Sequence, residues 1–227
     1  MNKMNLVVVS HPDDEILGFG AAGAKLVKYG EIVQPIILCG NVDARNNRPT
    51  NDELYKDMCD ANEKVGFEVP ILGDFPNIRM NNVDHLDIVQ FIEAQILQFK
   101  PQRIFTHHPS DLNDDHCQIS RACMAASRYY QRCDDVPPLE SLSFMEIQSA
   151  TDWAYESDRG GFRPNLYVEV EGELDTKLEA LACYRNVMRD YPHPRSIEAI
   201  KGLAAYRGGQ SGQKYSEAFQ VIFQRGF

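Results

Sequence analysis

The sequence lacks the features that mark nucleic-acid-binding, membrane-spanning and disulfide-stabilised proteins. Its 227 residues carry a formal charge of −10, and lysine and arginine are dispersed, so no surface for DNA or RNA is expected. No apolar run approaches the roughly 20 residues of a membrane span, and the run Leu6 to Val9 is shorter than a signal-peptide core. The six cysteines form no CxxC pair, which disfavours a disulfide framework or a Cys-based zinc site. These absences predict a cytoplasmic protein with no nucleic-acid or membrane partner, and they leave a homo-oligomer open.

The sequence does contain a regular alternation of strand-like and helix-like segments. The segments "NLVVVS", "IVQPIILCG", "VPILGD" and "RIFTHH" have strand character, and amphipathic segments with helical spacing separate them. Further strands are predicted at "SLSFMEIQ", "NLYVEVE" and "SEAFQVIF", and further helices at "DTKLEALACYRNVM" and "RSIEAIKGLAAYRG". This alternation predicts an α/β fold in one domain, residues 1–227, with a mostly parallel sheet and helices on both faces.

Two of the predicted strands end in clusters of histidine and aspartate. The first strand runs into "HPDDE", and "RIFT" runs into "HHPSDLNDDH". Ligands of such folds bind beyond the carboxyl ends of the strands, so both clusters should face one cleft. His11 and Asp14 can face inward together, and His116 can supply a third ligand, which is the donor set of a hydrolytic zinc site with one open position. Asp13 would remain as a base.

Other interpretations fit parts of the same pattern. The carboxylates after His11 can complement the positive end of a helix, and His116 can act as a capping residue. The string "GFGAAG", Gly18 to Gly23, is a literal GxGxxG with Asp43 twenty residues further on, which suggests a nucleotide-binding oxidoreductase. Its register disfavours that function, because the glycines fall inside the predicted helix, where they should permit close packing on the sheet.

Three ordered motifs resemble those of the LmbE-like, PIG-L-type de-N-acetylases. They are "SHPDDEILGFGAAGAKL", "THHPSDLNDDH" and "HPRSIEAIKGLAAYRGGQSGQKYSEAF", which together span nearly the whole chain. The resemblance implies a Rossmann-like fold and removal of an acetyl group from an N-acetylated amino sugar, such as an N-acetylglucosamine conjugate. It also implies a catalytic divalent ion, usually zinc with iron as another possibility, bound by His11, Asp14 and His116, with Asp13 as the general base.

This chemistry explains the adjacent carboxylates. An amide carbonyl is a poor electrophile, so an ion must polarise it and lower the pKa of bound water while a carboxylate takes the proton. With Asp14 neutralised by the ion, Asp13 remains free as the base. Glu15 is expected mainly to stabilise the start of the helix.

One position departs from the family pattern. Many members have a histidine three residues before the last metal ligand, where this chain has Asn113. An amide can donate a hydrogen bond to an oxyanion but cannot transfer a proton. The proton must then come from Asp13, acting in both directions, or from His193 in "YPHPRS". Asp115 is a candidate for orienting a ring or a ligand.

The substrate is only partly specified by the sequence. Arg45, Arg48 and Arg195 are candidates for binding a phosphate or a carboxylate of the substrate. A soluble acceptor, such as a nucleotide sugar or glycan intermediate, is favoured by the acidic charge and the absence of a membrane segment. A catalytically silent sugar-binding relative stays an alternative, because Asn113 removes one expected group.

Overall fold

The fold is a seven-stranded sheet flanked by helices. The computed structural model describes residues 3–40, 49–155 and 160–226. The strands are β1 Met4–Val9, β2 Ile32–Ile37, β3 Ile71–Leu72, β4 Arg103–Thr106, β5 Ser141–Met145, β6 Leu166–Glu169 and β7 Ser216–Gln224. The α-helices are α1 Asp14–Lys28, α2 Asn51–Val65, α3 His85–Phe99, α4 Asp114–Ala126, α5 Leu174–Cys183 and α6 Ile197–Ser211.

The strand order is β3-β2-β1-β4-β5-β7-β6. The five strands from β3 to β5 pair in parallel, and β7 runs antiparallel to both β5 and β6. The predicted α/β fold with a mostly parallel sheet is therefore confirmed. The antiparallel direction of β7 did not follow from the sequence pattern, because alternation of elements does not fix the direction of a strand that follows a helix.

Both faces of the sheet are covered. Along β1, Val7 and Val9 belong to a buried cluster with residues of α1, α2 and α5, whereas Leu6 and Val8 belong to a second cluster with residues of α3 and α4. Successive side chains of a strand point to opposite faces, so a continuous apolar run is what a strand buried on both faces requires.

Local signals fix several helix ends. Thr50 and Glu53 form a reciprocal capping box at the start of α2, and Gly66 ends that helix in the left-handed conformation. Helix α5 ends at Cys183, earlier than its apolar pattern predicts, since Tyr184 is extended and Asn186 has a positive φ of 61°. Within the described ranges, no helix has the length and apolar character needed to cross a membrane.

The glycines of α1 serve packing. A Cβ added to Gly18 would lie 2.5 Å from Ile147 Cδ1, and one added to Gly23 would lie 2.3 Å from Phe67 Cζ. The predicted close packing is thus confirmed, with Met145 of β5 as a contact of Gly18 in the sheet, whereas Ile147 and Phe67 lie outside the strands. The glycines lie inside α1 and not in the turn after β1, where a dinucleotide pyrophosphate would bind.

Candidate active site

The two His- and Asp-rich segments meet beyond the carboxyl ends of β1 and β4. These strands are hydrogen-bonded neighbours in parallel, so the turn after Val9 and the loop after Thr106 leave the sheet at the same edge. A pocket of about 410 Å³ opens there, within the usual size range of small-molecule sites. Its lining includes His11, Asp13, Asp14, Asn113, His116 and Arg195.

Backbone strain is concentrated around this pocket. Five described residues other than glycine have a positive φ, and three of them line the pocket: Asp13 at 105°, Ile78 at 58° and Ser149 at 70°. Such conformations cost on the order of 1–3 kcal/mol each and persist where the surrounding structure enforces them, commonly at functional sites.

Three side chains converge as a group able to hold a metal ion. Asp14 Oδ2 lies 3.3 Å from His11 Nδ1 and 3.2 Å from His116 Nε2, and the three ligand atoms all lie within 4.8 Å of one another. Two ligands of a tetrahedral zinc ion with bonds of about 2.0 Å lie roughly 3.3 Å apart. All three residues are buried, and they are the three that the sequence nominates as ligands.

One nitrogen of this group lacks a hydrogen bond. His116 Nε2 is buried and lies 3.2 Å from Asp14 Oδ2 but forms no hydrogen bond of good geometry, whereas Asp111 holds the ring from its other side. A buried polar atom without a partner is rare in native structures and calls for a specific explanation, such as a bound ion. The donor set and this orphaned nitrogen therefore fit a divalent metal ion.

Each of the two histidines has a carboxylate behind it. Asp115 Oδ2 lies 2.9 Å from His11 Nε2, and the Asp115 carboxylate also accepts the backbone N–H groups of Ile78 and Met80. Asp111 Oδ2 lies 3.0 Å from His116 Nδ1. A carboxylate on the far nitrogen fixes the tautomer and ring orientation of a metal-binding histidine.

Neighbouring charges and hydrogen bonds shift the pKa values of two residues in this cluster in the direction opposite to burial. Burial raises the pKa of Asp115, but the contact with His11 and the amides of Met80 and Ile78 outweigh it and lower that pKa. Burial lowers the pKa of His116, but the carboxylates of Asp14 and Asp111 outweigh it and raise the pKa to about 10. A metal ion binding here must therefore displace a proton.

His107 supports the cluster from the sheet side. Its ring stacks on His116 with centroids 3.7 Å apart, and its Nε2 accepts a hydrogen bond from the Ser10 N–H at 2.8 Å. Burial holds the pKa of His107 well below its usual value, so the ring is neutral and Nε2 is available as an acceptor.

Glu15 is buried below Asp13 and does not face solvent. Its carboxylate accepts the N–H of Asp13 at 3.1 Å, the side-chain amide of Asn62 at 3.0 Å and the hydroxyl of Tyr184. Burial raises the pKa of Glu15 to about 7. Glu15 thus accepts the backbone N–H of Asp13, the residue directly before α1, and it does so from the protein interior.

The candidate base and a candidate substrate-binding arginine contact each other. Arg195 Nη1 donates to Asp13 Oδ2 at 3.0 Å, and Arg195 Nε donates to Ser149 Oγ at 2.7 Å. Arg45 and Arg48, the other arginines nominated from the sequence, lie outside the described residues. The substrate-binding roles of Arg195 and Arg45 stay predictions.

Asn113 lines the pocket and also caps a helix. Its Oδ1 accepts the N–H of Asp115 at 3.0 Å at the start of α4. With Oδ1 so engaged, Nδ2 is the atom of this side chain suited to donate toward a bound ligand.

His193 lies beside the pocket wall and is not among the lining residues. Its Nδ1 accepts the Arg195 N–H at 3.0 Å, and its ring centroid lies 6.3 Å from that of Trp153. Burial, followed by the charges of Arg195 and Arg189, lowers the pKa of His193.

Sequence reasoning did not single out several residues of this site. Asp111 stands inside the second motif, and its spacing of five residues before His116 could have indicated it. Ile78, Ser149, Thr151 and Trp153 carry no motif, and their position follows only from the tertiary structure.

Comparison with known proteins agrees with these motifs. Residues 6–127 match the family profile described as PIG-L: GlcNAc-PI de-N-acetylase. A protein of Escherichia coli K12 described as an uncharacterised deacetylase is 25% identical over 193 residues, covering 80% of this chain and 90% of that protein. The diacetylchitobiose deacetylase of Thermococcus kodakarensis is 22% identical over 234 residues, covering 97% of this chain and 83% of that enzyme.

Solved structures share the fold. A conserved protein of Thermus thermophilus superposes with a TM-score of 0.80 at 22% identity, covering 100% of this chain and 97% of the other. The 4-carboxy-2-hydroxymuconate hydratase of Pseudomonas putida KT2440 superposes with a TM-score of 0.77 at 19% identity, covering 99% and 98%. These likenesses concern the fold alone, since one fold can host different chemistries.

Proposed function

Because the chain belongs to the PIG-L family of de-N-acetylases, we propose that it is a zinc-dependent hydrolase that removes the acetyl group from an N-acetylated amino sugar of the N-acetylglucosamine type. The observation that supports this best is the buried His11, Asp14 and His116 group at the pocket wall, with the orphaned His116 Nε2 directed at Asp14. A metal-dependent hydrolytic site needs such a donor set next to a space that admits substrate.

His11 Nδ1, Asp14 Oδ2 and His116 Nε2 would hold the ion. Bound there, a divalent ion supplies polarisation of the amide carbonyl and a lower pKa for water. Asp115 and Asp111 keep the two imidazoles turned toward Asp14 through their far nitrogens. The stacked ring of His107 limits rotation of His116 from the side.

Asp13 is the proposed general base. Its carboxylate lines the pocket beside Asp14, and both the Arg195 guanidinium and the Glu15 contact to its N–H hold it in place. It takes a proton from the attacking water as the new C–O bond forms, and Asn113 Nδ2 donates a hydrogen bond to the carbonyl oxygen as that oxygen gains charge.

Asp13 also returns the proton in this proposal. The C–N bond breaks as the leaving nitrogen receives the proton, giving acetate and the free amine of the sugar. His193 is the other candidate donor, but its Nδ1 is occupied by the Arg195 N–H and the residue lies outside the pocket lining. Asp13 is therefore the better placed of the two.

Release of acetate from N-acetylglucosamine and its conjugates by protein supplied with zinc tests this function. Equal amounts of acetate and free amine are expected, and metal-free protein should release neither until zinc or ferrous iron is returned. Tight binding of these sugars without any acetate release, at full metal content, would instead favour the catalytically silent sugar-binding relative.

A further inference from the structure

The pocket has a polar floor and an apolar mouth. Three of its lining side chains are large, apolar and strongly exposed: Ile78 is 53%, Leu112 is 60% and Trp153 is 41% accessible to solvent. We call these three residues the apolar collar. They line the same pocket as the buried His11, Asp13 and Asp14, so a bound molecule can meet both surfaces.

The backbone holds Ile78 in a position that isoleucine rarely adopts. Its φ is 58°, and a β-branched residue in the left-handed region is a genuine outlier. The Ile78 N–H donates to Asp115 Oδ2 at 2.6 Å, and the same oxygen contacts His11 Nε2. The carboxylate that orients one candidate ligand therefore also fixes this part of the collar.

The other two collar residues are tied to the second histidine. Thr151 Oγ1 donates to Asp111 Oδ2 at 3.0 Å, and Asp111 Oδ2 contacts His116 Nδ1. Thr151 begins the short 3-10 helix that ends at Trp153, and Leu112 directly follows Asp111. The whole collar is thus placed in a fixed relation to the two histidines and is not a loose surface patch.

The apolar collar is exposed and is held in a fixed position relative to the candidate metal ligands. It is therefore suited to bind a part of the substrate that does not react. Binding energy from such remote parts can orient the reacting group. Among the described residues that line the pocket, Arg195 is the one arginine or lysine, and its charge is paired with Asp13, while His116 contacts the carboxylates of Asp14 and Asp111. The collar itself offers no charge to an anionic substituent, and its one side-chain hydrogen-bond donor is the indole N–H of Trp153.

Building on the deacetylase function proposed above, we infer that the apolar collar is a specificity site for an uncharged apolar substituent, an alkyl or aryl aglycone, on the N-acetylated sugar. The preferred substrate is then a neutral glycoside of N-acetylglucosamine. The collar favours it over the free sugar, and over conjugates in which a phosphate or a carboxylate follows the sugar directly.

The test compares acetate release from N-acetylglucosamine, its methyl, butyl, hexyl and phenyl glycosides in both anomeric forms, and N-acetylglucosamine 1-phosphate. Each methylene buried against the collar should raise kcat/KM by about fourfold, up to the length that the collar covers. The gain should appear mainly as a lower KM, because the collar touches a part of the substrate that does not change during the reaction. Equal kcat/KM along the alkyl series, or a preference for the phosphate, overturns the inference.

Leu112→Ala and Trp153→Ala should each lower the ratio of hexyl glycoside to methyl glycoside kcat/KM by roughly tenfold. Leu86→Ala is the matched control, since Leu86 is 57% exposed on α3 and does not line the pocket. Its hexyl-to-methyl ratio should equal that of the unmodified protein. A ratio that falls equally in all three variants, or in none, contradicts the inference.

A binding experiment separates this inference from the proposed function. The hexyl glycoside of glucosamine, the amine product, is titrated into the protein by calorimetry beside the methyl glycoside. If the hexyl compound binds more tightly and Leu112→Ala abolishes the difference, the result supports the collar even when no conjugate releases acetate. The absence of acetate release would count only against the proposed hydrolase function. Equal affinity for the two glycosides counts against the collar, whatever the activity.

Discussion

Arg195 Nη1 lies 3.0 Å from Asp13 Oδ2, an ion pair between residues 182 positions apart in the chain. Asp13 is fully buried, and the Arg195 guanidinium compensates the charge of its carboxylate. Arg195 is itself held by Ser149. The orientation of the proposed base is therefore set by a segment near the other end of the chain.

Replacing Asp13 with asparagine should abolish most of the turnover and keep the metal. Asparagine has the same size but cannot take a proton, and a general base is typically worth about 10²- to 10⁴-fold in rate. Initial rates of acetate release and elemental zinc analysis measure the two effects. Asp114→Asn is the control, because Asp114 is an exposed carboxylate that does not line the pocket. Near-normal turnover in Asp13→Asn would assign the base elsewhere.

Arg195→Lys distinguishes orientation of Asp13 from binding of a substrate anion. A lysine keeps the positive charge but cannot contact Asp13 and Ser149 together as the guanidinium does. If Arg195 orients the base, kcat should fall by about tenfold or more with little change in KM. If Arg195 binds a substrate phosphate or carboxylate, KM for charged conjugates should rise while neutral conjugates are unaffected.

The three nominated ligands should each be indispensable for metal binding. His11→Ala, Asp14→Ala and His116→Ala should lose most bound zinc, since a site with three protein ligands cannot spare one. The matched control is His85→Ala, which removes an exposed histidine of α3 and should retain the metal. Zinc content is measured after loading and gel filtration. Full zinc content in all three ligand variants would refute the assignment.

Asn113 variants can separate helix capping from hydrogen-bond donation. Asn113→Asp keeps a side-chain oxygen that caps α4 but loses the N–H donor, whereas Asn113→Ala loses both. Turnover should fall by about 10²- to 10³-fold in both variants. Unfolding experiments should show a loss of roughly 1 kcal/mol in stability for the alanine variant only. Full activity of Asn113→Asp would remove the amide from the oxyanion role.

His108 should make stability decrease in mild acid. Burial lowers its pKa, an effect that Asp111 and Gln220 only partly offset, so the folded protein keeps this ring neutral while the unfolded chain takes up a proton below about pH 6.5. Above that pH, the His108 ring is neutral in both the folded and the unfolded state, so it contributes nothing to the pH dependence of stability. Below it, stability falls by up to about 1.4 kcal/mol per pH unit.

His108→Asn is the variant that tests this pH dependence. Asparagine retains an acceptor near the position of Nδ1, which accepts the Ser110 N–H, but it does not titrate. Any packing loss in the variant is the same at both pH values. Urea unfolding at pH 7 and pH 5 should show a smaller drop in stability for the variant, and identical drops would contradict a lowered pKa.

Local sequence determined much of the fold and of the cluster of His11, Asp14 and His116. The continuous apolar run of β1 and the helical spacing in α1 to α4 are properties of neighbouring residues, so they can be read without knowledge of the rest of the chain. The convergence of His11, Asp14 and His116 followed from one topological rule, that the carboxyl ends of neighbouring parallel strands share an edge. The structure places these three side chains together.

Only the tertiary structure decided which distant groups support that cluster. The pairing of Arg195 with Asp13, the burial of Glu15 under Tyr184, and the link from Asp111 to Thr151 each join segments at least 40 residues apart. No periodicity or spacing connects such positions, because the contacts depend on how helices and loops pack on the finished sheet. The same holds for the apolar collar, in which Ile78 lies in a turn and Trp153 in a short 3-10 helix, neither within a motif. It holds also for the antiparallel β7, whose direction is set by packing and not by the alternation of elements.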